Sequence, residues 1–201
     1  NGYSFKDFQG KKKACIIMDY FKTGSLANVI KNSKNGLCKA SYDNTKRQII
    51  LIGIAKAMKM LHQHNIVHRD LKPDNILLNE NYEPVVTDFN LSKFCETNNS
   101  LNQSSAAGTP LYMAPEIFNL ENYYDFKVDV YSFGILMFEV IFEQYPFPSL
   151  LKEGLTTFQF GQKVKNGVSI EYPNSFKVSQ NIKNLIEKCL SLNPIDRPTF
   201  S

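Results

Sequence analysis

The sequence predicts an α+β fold in which a short strand-rich segment precedes a mainly helical body. Short apolar runs that favour β-strands, such as residues 14–21 (ACIIMDYF), are concentrated in the first half of the chain. After Pro115 the apolar residues recur mainly at helical spacing. Residues 127–142 are apolar on nearly all sides, which is typical of a helix buried at the centre of a core.

The strand-rich part begins with a predicted hairpin. Residues 3–8 and 14–21 would pair, with the lysines at 11–13 in a solvated turn between them. Residues 75–78 (NILL) and 84–89 (PVVTDF) are two further short strands, joined by an Asn-rich turn.

The helical part is predicted from capping residues and apolar spacing. Ser25 is placed to cap a short helix, and residues 41–64 form the clearest long one. Further helices are expected near residues 158–165 and at 179–192, whereas residues 95–107 have almost no apolar content and form a loop. The apolar face of the long helix contains Ile50, Ile54, Ala57, Met58 and Leu61.

Composition sets limits on the class of protein. The chain has 201 residues, of which 43% are hydrophobic and 21% charged, so it can form one domain with a core or two small ones. Its net charge of +4 is too small to indicate nucleic acid, and we expect no such partner. The most apolar segment carries Asp129 and Glu139 and is too short to span a bilayer, so no membrane attachment is evident in this sequence.

The four cysteines stand far apart in the sequence, without the C-x-x-C spacing of metal or redox sites. The chain is also large for a disulfide scaffold and shows no secretory leader. We therefore expect reduced thiols in an intracellular, cytoplasmic protein.

Three motifs concentrate the polar residues. Residues 68–75 read HRDLKPDN, which fits H-R-D-L-x-x-x-N at every fixed position. The run TDF follows at 87–89, and APE stands at 114–116. Their order and spacing resemble those of a eukaryotic protein kinase catalytic domain, from about residue 3 to residue 201.

The resemblance implies specific roles in phosphoryl transfer. Asp70 matches the catalytic carboxylate that accepts the substrate hydroxyl proton, and Lys72 would neutralise charge that develops on the γ-phosphate of ATP. Asn75 and Asp88 match the two ligands of Mg²⁺, an ion that prefers hard oxygen donors. The implied cofactors are thus ATP and Mg²⁺, and the implied partner is a protein substrate. An isolated Asp is usually a helix cap or a surface ion-pair partner, but this explanation would have to hold at 70, 75 and 88 together.

The resemblance favours serine/threonine over tyrosine kinases, because Lys72 stands in the catalytic loop and Thr109 fits a threonine that bonds Asp70 and Lys72 in such enzymes. Residues 20–26 (YFKTGSL) and 197–200 (RPTF) are similar to the tyrosine-kinase-like group.

An adenine site is implied around the strand at 14–21. Met18 would lie behind the purine, and the backbones of Asp19 and Phe21 would bond its edge, with Leu77 as a further cofactor-binding residue. An ordinary core strand is the alternative at this position.

Other matching residues are architectural or regulatory. Glu116 and Arg197 would form a buried ion pair, Asp129 would bond the catalytic-loop backbone, and His68 would pack under Phe89. A metal site formed by His68 with the nearby histidines is disfavoured, since no Cys or acidic partner stands at ligand spacing. In related kinases an arginine beside the catalytic Asp pairs with a phosphorylated residue of the activation segment. Here that arginine is Arg69, and the candidate hydroxyls are those of Thr97, Ser100, Ser104 and Ser105.

The sequence departs from the family in two ways. Asn90 replaces the Gly of D-F-G, and Asn is the residue other than Gly that best tolerates positive φ. The sequence also contains no G-x-G-x-x-G loop and no V-A-I-K lysine. We therefore expect a truncated two-lobed fold, with residues 1–21 a remnant of the N-lobe and 22–201 the C-lobe. This polypeptide alone would be inactive, whereas the complete gene product would be a serine/threonine kinase. The alternative is a pseudokinase, a non-catalytic scaffold that binds proteins, and the oligomeric state stays open.

Overall fold

The computed structural model describes residues 2–6, 10–17, 19–37, 42–94, 109–118, 125–174 and 177–201. Within these ranges short strands come first and helices dominate after residue 125, which confirms the predicted α+β class. The strands are β1 (Gly2–Lys6), β2 (Lys12–Ile17), β3 (Ile66–Val67), β4 (Ile76–Leu78), β5 (Pro84–Val86) and β6 (Lys93–Phe94). The helices are α1 (Leu26–Lys34), α2 (Asn44–Gln63), α3 (Lys127–Phe142), α4 (Pro148–Lys152), α5 (Thr157–Lys165) and α6 (Gln180–Cys189).

Strands β1 and β2 form the predicted hairpin. They pair antiparallel from Gly2 opposite Ile17 to Lys6 opposite Lys12. The turn includes Gly10 at φ 76°, a conformation that glycine adopts without steric cost. The lysine triplet was predicted to lie in the turn, but β2 begins at Lys12, so only the first of the three precedes the strand.

Side-chain caps fix the starts of the first two helices. The Ser25 hydroxyl accepts a hydrogen bond from the Asn28 amide at the start of α1, as predicted. The Asp43 carboxylate accepts from the Lys46 amide at 2.9 Å, so α2 begins at Asn44, three residues later than the sequence suggested.

Helix α3 is the centre of the core, as its composition predicts. Nearly every residue of this helix is buried, and α6 packs against it at Gly134. A Cβ atom at Gly134 would lie 2.8 Å from the Cβ of Cys189, so the close approach of the two helices requires glycine here. Cys189 is a free cysteine, and burial raises the pKa of its thiol to about 12. No helix in the described part of the chain is long and apolar enough to cross a membrane.

Two small sheets hold the segment between α2 and residue 94. Strand β4 pairs antiparallel with β5, as predicted, with Ile76 opposite Val86. Strand β3 pairs with β6, with Ile66 opposite Phe94. The loop between β3 and β4, residues 68–75, is therefore anchored at both ends.

A buried ion pair ties the C-terminal residues to the segment at 115–118. The Arg197 guanidinium donates to both carboxylate oxygens of Glu116, at 2.6 and 2.8 Å, as the sequence suggested. It also donates to the carbonyl of Ser191 at 2.8 Å and stacks 5.0 Å from the centre of the Tyr131 ring. The Arg197 side chain is fully buried, so its charge depends on these partners.

Replacing Arg197 by methionine should therefore destabilise the fold strongly. Arg197→Met leaves the Glu116 carboxylate, whose side chain is 11% exposed, without its cation. We expect a loss of about 3–5 kcal/mol in the free energy of unfolding, measured by urea denaturation followed by circular dichroism.

The exposed pair between Lys163 and Glu153 is the matched control. These side chains are 47% and 38% exposed, so Lys163→Met should cost less than about 1 kcal/mol. Similar losses in the two variants would show that burial of the Arg197 pair has no energetic consequence.

Candidate active site

A buried carboxylate from α3 fixes the backbone of the loop at 68–75. The Asp129 oxygens accept hydrogen bonds from the backbone amides of His68 and Arg69, at 2.9 and 2.8 Å. The Nε2 atom of His62, at the end of α2, lies 2.9 Å from the same carboxylate. Asp129 is completely buried, and these contacts hold Arg69 at φ 72°, a conformation that residues with a Cβ rarely adopt. The bond from Asp129 to the loop was predicted, whereas the contact with His62 was not.

Asp70 lies at the centre of a compact polar cluster. Its Oδ2 atom accepts from the Lys72 ammonium at 2.7 Å, and its Oδ1 accepts from both the amide and the hydroxyl of Thr109, at 3.0 and 3.1 Å. The Lys72 ammonium also donates to the Thr109 hydroxyl at 2.6 Å. The predicted contact of Thr109 with Asp70 and Lys72 is thus present in the structure.

Asn75 completes this cluster from the end of the loop, directly before β4. Its Nδ2 donates to the backbone carbonyl of Asp70 at 2.8 Å and to Oδ2 at 3.0 Å. Burial by itself would raise the pKa of Asp70, but the bonds from Lys72, Asn75 and Thr109 outweigh it and lower that pKa. Asp70 is therefore ionised at neutral pH and can act as a hydrogen-bond acceptor for an incoming hydroxyl.

Asp88 lies beside this cluster because the residue before it, Thr87, is bonded to Asn75. The amide and hydroxyl of Thr87 both donate to the carbonyl of Asn75, at 2.9 and 3.0 Å, which places Asp88 one residue from that contact. The Asp88 side chain is exposed and accepts from the Asn90 amide at 3.4 Å. The structure thus brings Asp70, Lys72 and Asn75 into direct contact, with Asp88 adjacent but not bonded to them.

Asn75 and Asp88 offer side-chain oxygens of the hard type that Mg²⁺ prefers. The Nδ2 atom of Asn75 makes both bonds to Asp70, so Asp70 does not occupy the side-chain oxygen of Asn75. The exposed Asp88 carboxylate is a second hard oxygen donor in the adjoining strand connection.

Asn90 does not adopt the conformation expected from its replacement of glycine. The left-handed conformation belongs to Asp88, at φ 63°, whereas Asn90 lies inside the 3-10 turn Phe89–Leu91 and is not among the residues with positive φ. The Phe89 ring packs edge-on against His68, with centroids 5.2 Å apart, as predicted. In this conformation Asn90 therefore does not use the tolerance of positive φ for which the sequence singles it out.

The residues proposed for adenine lie before α1 and on β4. Asp19 is exposed and Phe21 is half-buried, with its carbonyl accepting from the Gly24 amide at 3.0 Å. Leu77 is half-buried on β4, between the buried Ile76 and Leu78. Met18 lies outside the described residues, so its predicted place behind the purine stays a prediction.

The candidate phosphorylation sites also lie outside the described residues, namely Thr97, Ser100, Ser104 and Ser105. The three histidines make separate contacts: His62 with Asp129, His64 with the Met60 carbonyl, and His68 with the Thr87 carbonyl.

The sequence did not reveal which side chains hold the segment at 109–113 in place. The sequence identified Glu139 only as a charge within an apolar segment, whereas in the structure its carboxylate accepts from the Tyr112 hydroxyl at 2.6 Å. Burial raises the pKa of Glu139 to about 7, with a further increase from the Asp74 charge. Ser132 and Tyr145 donate to the carbonyls of Tyr112 and Leu111, at 2.8 and 2.6 Å. The signal was a single Glu in an otherwise apolar helix.

Comparison with known proteins identifies the class that this site defines. The family model described as the protein kinase domain matches residues 3–201, and the chain belongs to that family. Protein kinase domains use ATP and Mg²⁺ and act on protein substrates.

Relatives include several serine/threonine-protein kinases. The chain is 35% identical over 188 residues to the serine/threonine-protein kinase CTR1 of Arabidopsis thaliana, covering 92% of this chain and 22% of the relative. It is 34% identical over 189 residues to the serine/threonine-protein kinase shk2 of Schizosaccharomyces pombe, covering 92% and 29%. It is 32% identical over 195 residues to the putative serine/threonine-protein kinase/receptor R831 of Acanthamoeba polyphaga mimivirus, covering 95% and 11%. The chain thus spans less than a third of the length of each of these relatives.

Glu139 should make stability depend on pH. Its pKa in the folded protein, about 7, exceeds the ordinary value of 4.5, so the protonated side chain favours the folded state. This contribution is complete below pH 4.5 and is lost as the pH rises through about 7. Relative to Glu139→Gln, we expect the wild type to lose about 2–3 kcal/mol of unfolding free energy over this range, measured by urea denaturation. The exposed Glu80→Gln variant is the control, and a parallel pH profile for Glu139→Gln and wild type would contradict the assignment.

The conformation of Asn90 predicts the effect of restoring the family glycine. Because Asn90 has negative φ, Asn90→Gly gains no relief of strain and adds freedom to the unfolded chain. We expect a loss of about 0.5–1 kcal/mol, read from the urea midpoint, whereas Asn90→Ala should stay within about 0.5 kcal/mol of wild type. A stabilised Asn90→Gly variant would indicate that the chain favours a different backbone conformation here.

Proposed function

We propose that the protein containing this domain transfers the γ-phosphate of ATP to serine or threonine hydroxyls of protein substrates. The observation that carries this proposal is the contact of Asp70, Lys72 and Thr109, with all three pairs bonded at 2.6–3.1 Å. Phosphoryl transfer depends mainly on positioning and on electrostatic stabilisation, and a rigid cluster of this kind supplies both.

Each residue of the cluster has a distinct role in the proposed reaction. Asp70, ionised at neutral pH, accepts a hydrogen bond from the substrate hydroxyl, orients its oxygen for attack and takes up its proton. Lys72 places a positive charge beside this position, where negative charge grows on the transferred group. Thr109 bonds both side chains and so holds them in position before the substrate arrives.

The metal and nucleotide would be held by residues around this cluster. Asn75 and Asp88 would bind Mg²⁺ through their side-chain oxygens. The ion, when bound, neutralises phosphate charge. The backbones of Asp19 and Phe21 would bond the adenine edge, and Leu77 would contact the ring.

A non-catalytic scaffold is the second candidate, and Asn90 is the observation that favours it. Glycine at this position allows the metal-ligand segment to change conformation, and Asn makes that change harder. The scaffold would keep the fold and bind proteins without transferring phosphate.

Substitution of Asp70 separates the two candidates. In the complete gene product, Asp70→Asn should lower phosphate transfer from radiolabelled ATP to dephosphorylated casein by at least about 100-fold, since it removes the proton acceptor. Nucleotide binding, followed by fluorescence of a labelled ATP analogue, should be retained. Asp74→Asn, an exposed neighbour in the same loop, should stay close to wild type.

Phosphoamino-acid analysis of the product then tests the substrate class. Label on serine and threonine supports the proposal, and label on tyrosine contradicts it. A wild-type protein that binds ATP but transfers no phosphate would favour the scaffold.

A further inference from the structure

The segment at 109–113 is attached to helix α3 largely by hydrogen bonds. No residue of its 3-10 turn, Pro110–Tyr112, is buried, whereas α3 is buried almost throughout. The carbonyls of the segment accept from Ser132 and Tyr145, and its Tyr112 hydroxyl donates to a carboxylate of α3. A segment with few buried apolar contacts opens more easily than the core, so these bonds decide how often it is released.

Glu139 is the carboxylate that accepts the bond from Tyr112, at 2.6 Å. It lies in an apolar helix, and no Lys or Arg in the described part of the chain forms an ion pair with it. A carboxylate that is withdrawn from water without a cation favours its protonated form. The groups that face it are Tyr112 of the segment, Asp74 of the loop at 68–75, Lys34 at the end of α1 and Tyr145 after α3.

The charge of Glu139 changes near neutral pH. Burial is the main reason that its pKa rises to about 7. The Asp74 charge raises this pKa further, whereas the bond from Tyr112 and the Lys34 charge lower it. The hydroxyls of Tyr112 and Tyr145 stay neutral in this range, because burial raises their own pKa values.

Access of water to Glu139 sets the direction of the effect. When the segment lifts from α3, water hydrates the carboxylate, and its pKa returns towards the ordinary value of 4.5. Opening then releases a proton, so rising pH favours the opened segment. The bond from Tyr112 is stronger to an ionised carboxylate and opposes this effect, but the raised pKa shows that burial outweighs the bond.

We propose that the contact between Tyr112 and Glu139 is a proton-sensitive anchor: protonated Glu139 keeps the segment at 109–113 on α3, and loss of that proton favours its release. Release withdraws Thr109 from the polar cluster around Asp70, so the cluster is assembled more completely at low pH than at high pH. The conformational change does not depend on the function proposed above, whereas its effect on phosphoryl transfer rests on that function.

Amide hydrogen exchange, measured by NMR, tests the anchor without an assay of activity. The amides of Tyr112 and Met113 donate to the Thr109 and Pro110 carbonyls and report opening of the segment. Their protection factors, which correct for the intrinsic effect of pH on exchange, should fall about five- to tenfold from pH 6 to pH 8. The amide of Ile54, in the middle of α2, reports global unfolding and should be better protected.

Three variants assign the effect to the anchor. Glu139→Gln keeps an oxygen for the Tyr112 hydroxyl but cannot ionise, so its protection factors should stay constant over this range. Glu80→Gln removes an exposed carboxylate and, as the matched control, should behave as wild type. The carboxyl ¹³C signal of Glu139 should titrate at about pH 7 in the wild type, and Tyr112→Phe should raise this pKa, because it removes a bond that lowers it.

The outcomes decide the proposal in each case. Constant protection factors at Tyr112 and Met113 in the wild type overturn it, as does an unchanged pH dependence in Glu139→Gln. Protection factors equal to that of Ile54 show that the segment opens only with the whole fold, and also overturn it. A pH dependence that is present in wild type and Glu80→Gln but absent from Glu139→Gln, with protection below that of Ile54, supports it.

Discussion

The structure depends on the buried carboxylate of Asp129. Its two oxygens accept the backbone amides of His68 and Arg69, and it also contacts the ring of His62. A carboxylate without water is stable only when such donors surround it, so helix α3, the end of α2 and the loop at 68–75 hold one another in place. The positive φ of Arg69 follows from this arrangement, and it sets the direction in which Asp70 leaves the loop. The polar cluster is therefore positioned from the centre of the core.

The rest of the cluster is built from segments that are distant in sequence. Thr109 reaches Asp70 across 39 residues. The residues that follow Thr109 are held by Ser132 of α3, which donates to the Tyr112 carbonyl, and by Tyr145, which donates to the Leu111 carbonyl. Helix α3 thus supports both sides of Asp70, since Asp129 holds the loop backbone and Ser132 holds the segment at 109–113.

Much of this architecture could be predicted from the sequence. The apolar run of α3, the capping Ser25 and the pair β4–β5 are local patterns, and each indicates its element without knowledge of the neighbours. The polar cluster was predicted from the resemblance of HRDLKPDN, and of the motifs that follow it, to those of protein kinases. The short helix α4 and the two-residue strands β3 and β6 gave no signal, since they are shorter than the window in which periodicity is visible.

Glu139 and Asn90 differ from what the sequence indicated for another reason: contacts with other parts of the chain determine their environment and conformation. The environment of Glu139 is set by Tyr112 and Asp74, which come from other parts of the chain, so its own helix cannot reveal that it is half-buried. Asn90 was interpreted from what glycine allows, whereas the backbone places the left-handed residue two positions earlier, at Asp88. Residue type limits the conformations that are possible, but the surrounding contacts select one of them.

The crowded carboxylate of Asp70 has a consequence for how a substrate enters. Oδ1 already accepts twice from Thr109, and Oδ2 accepts from Lys72 and Asn75. Since a carboxylate offers about four acceptor positions, none is vacant. In the proposed reaction, an arriving hydroxyl would therefore have to displace one of these donors, and its entry would be an exchange of hydrogen-bond partners whose cost depends on which donor is displaced.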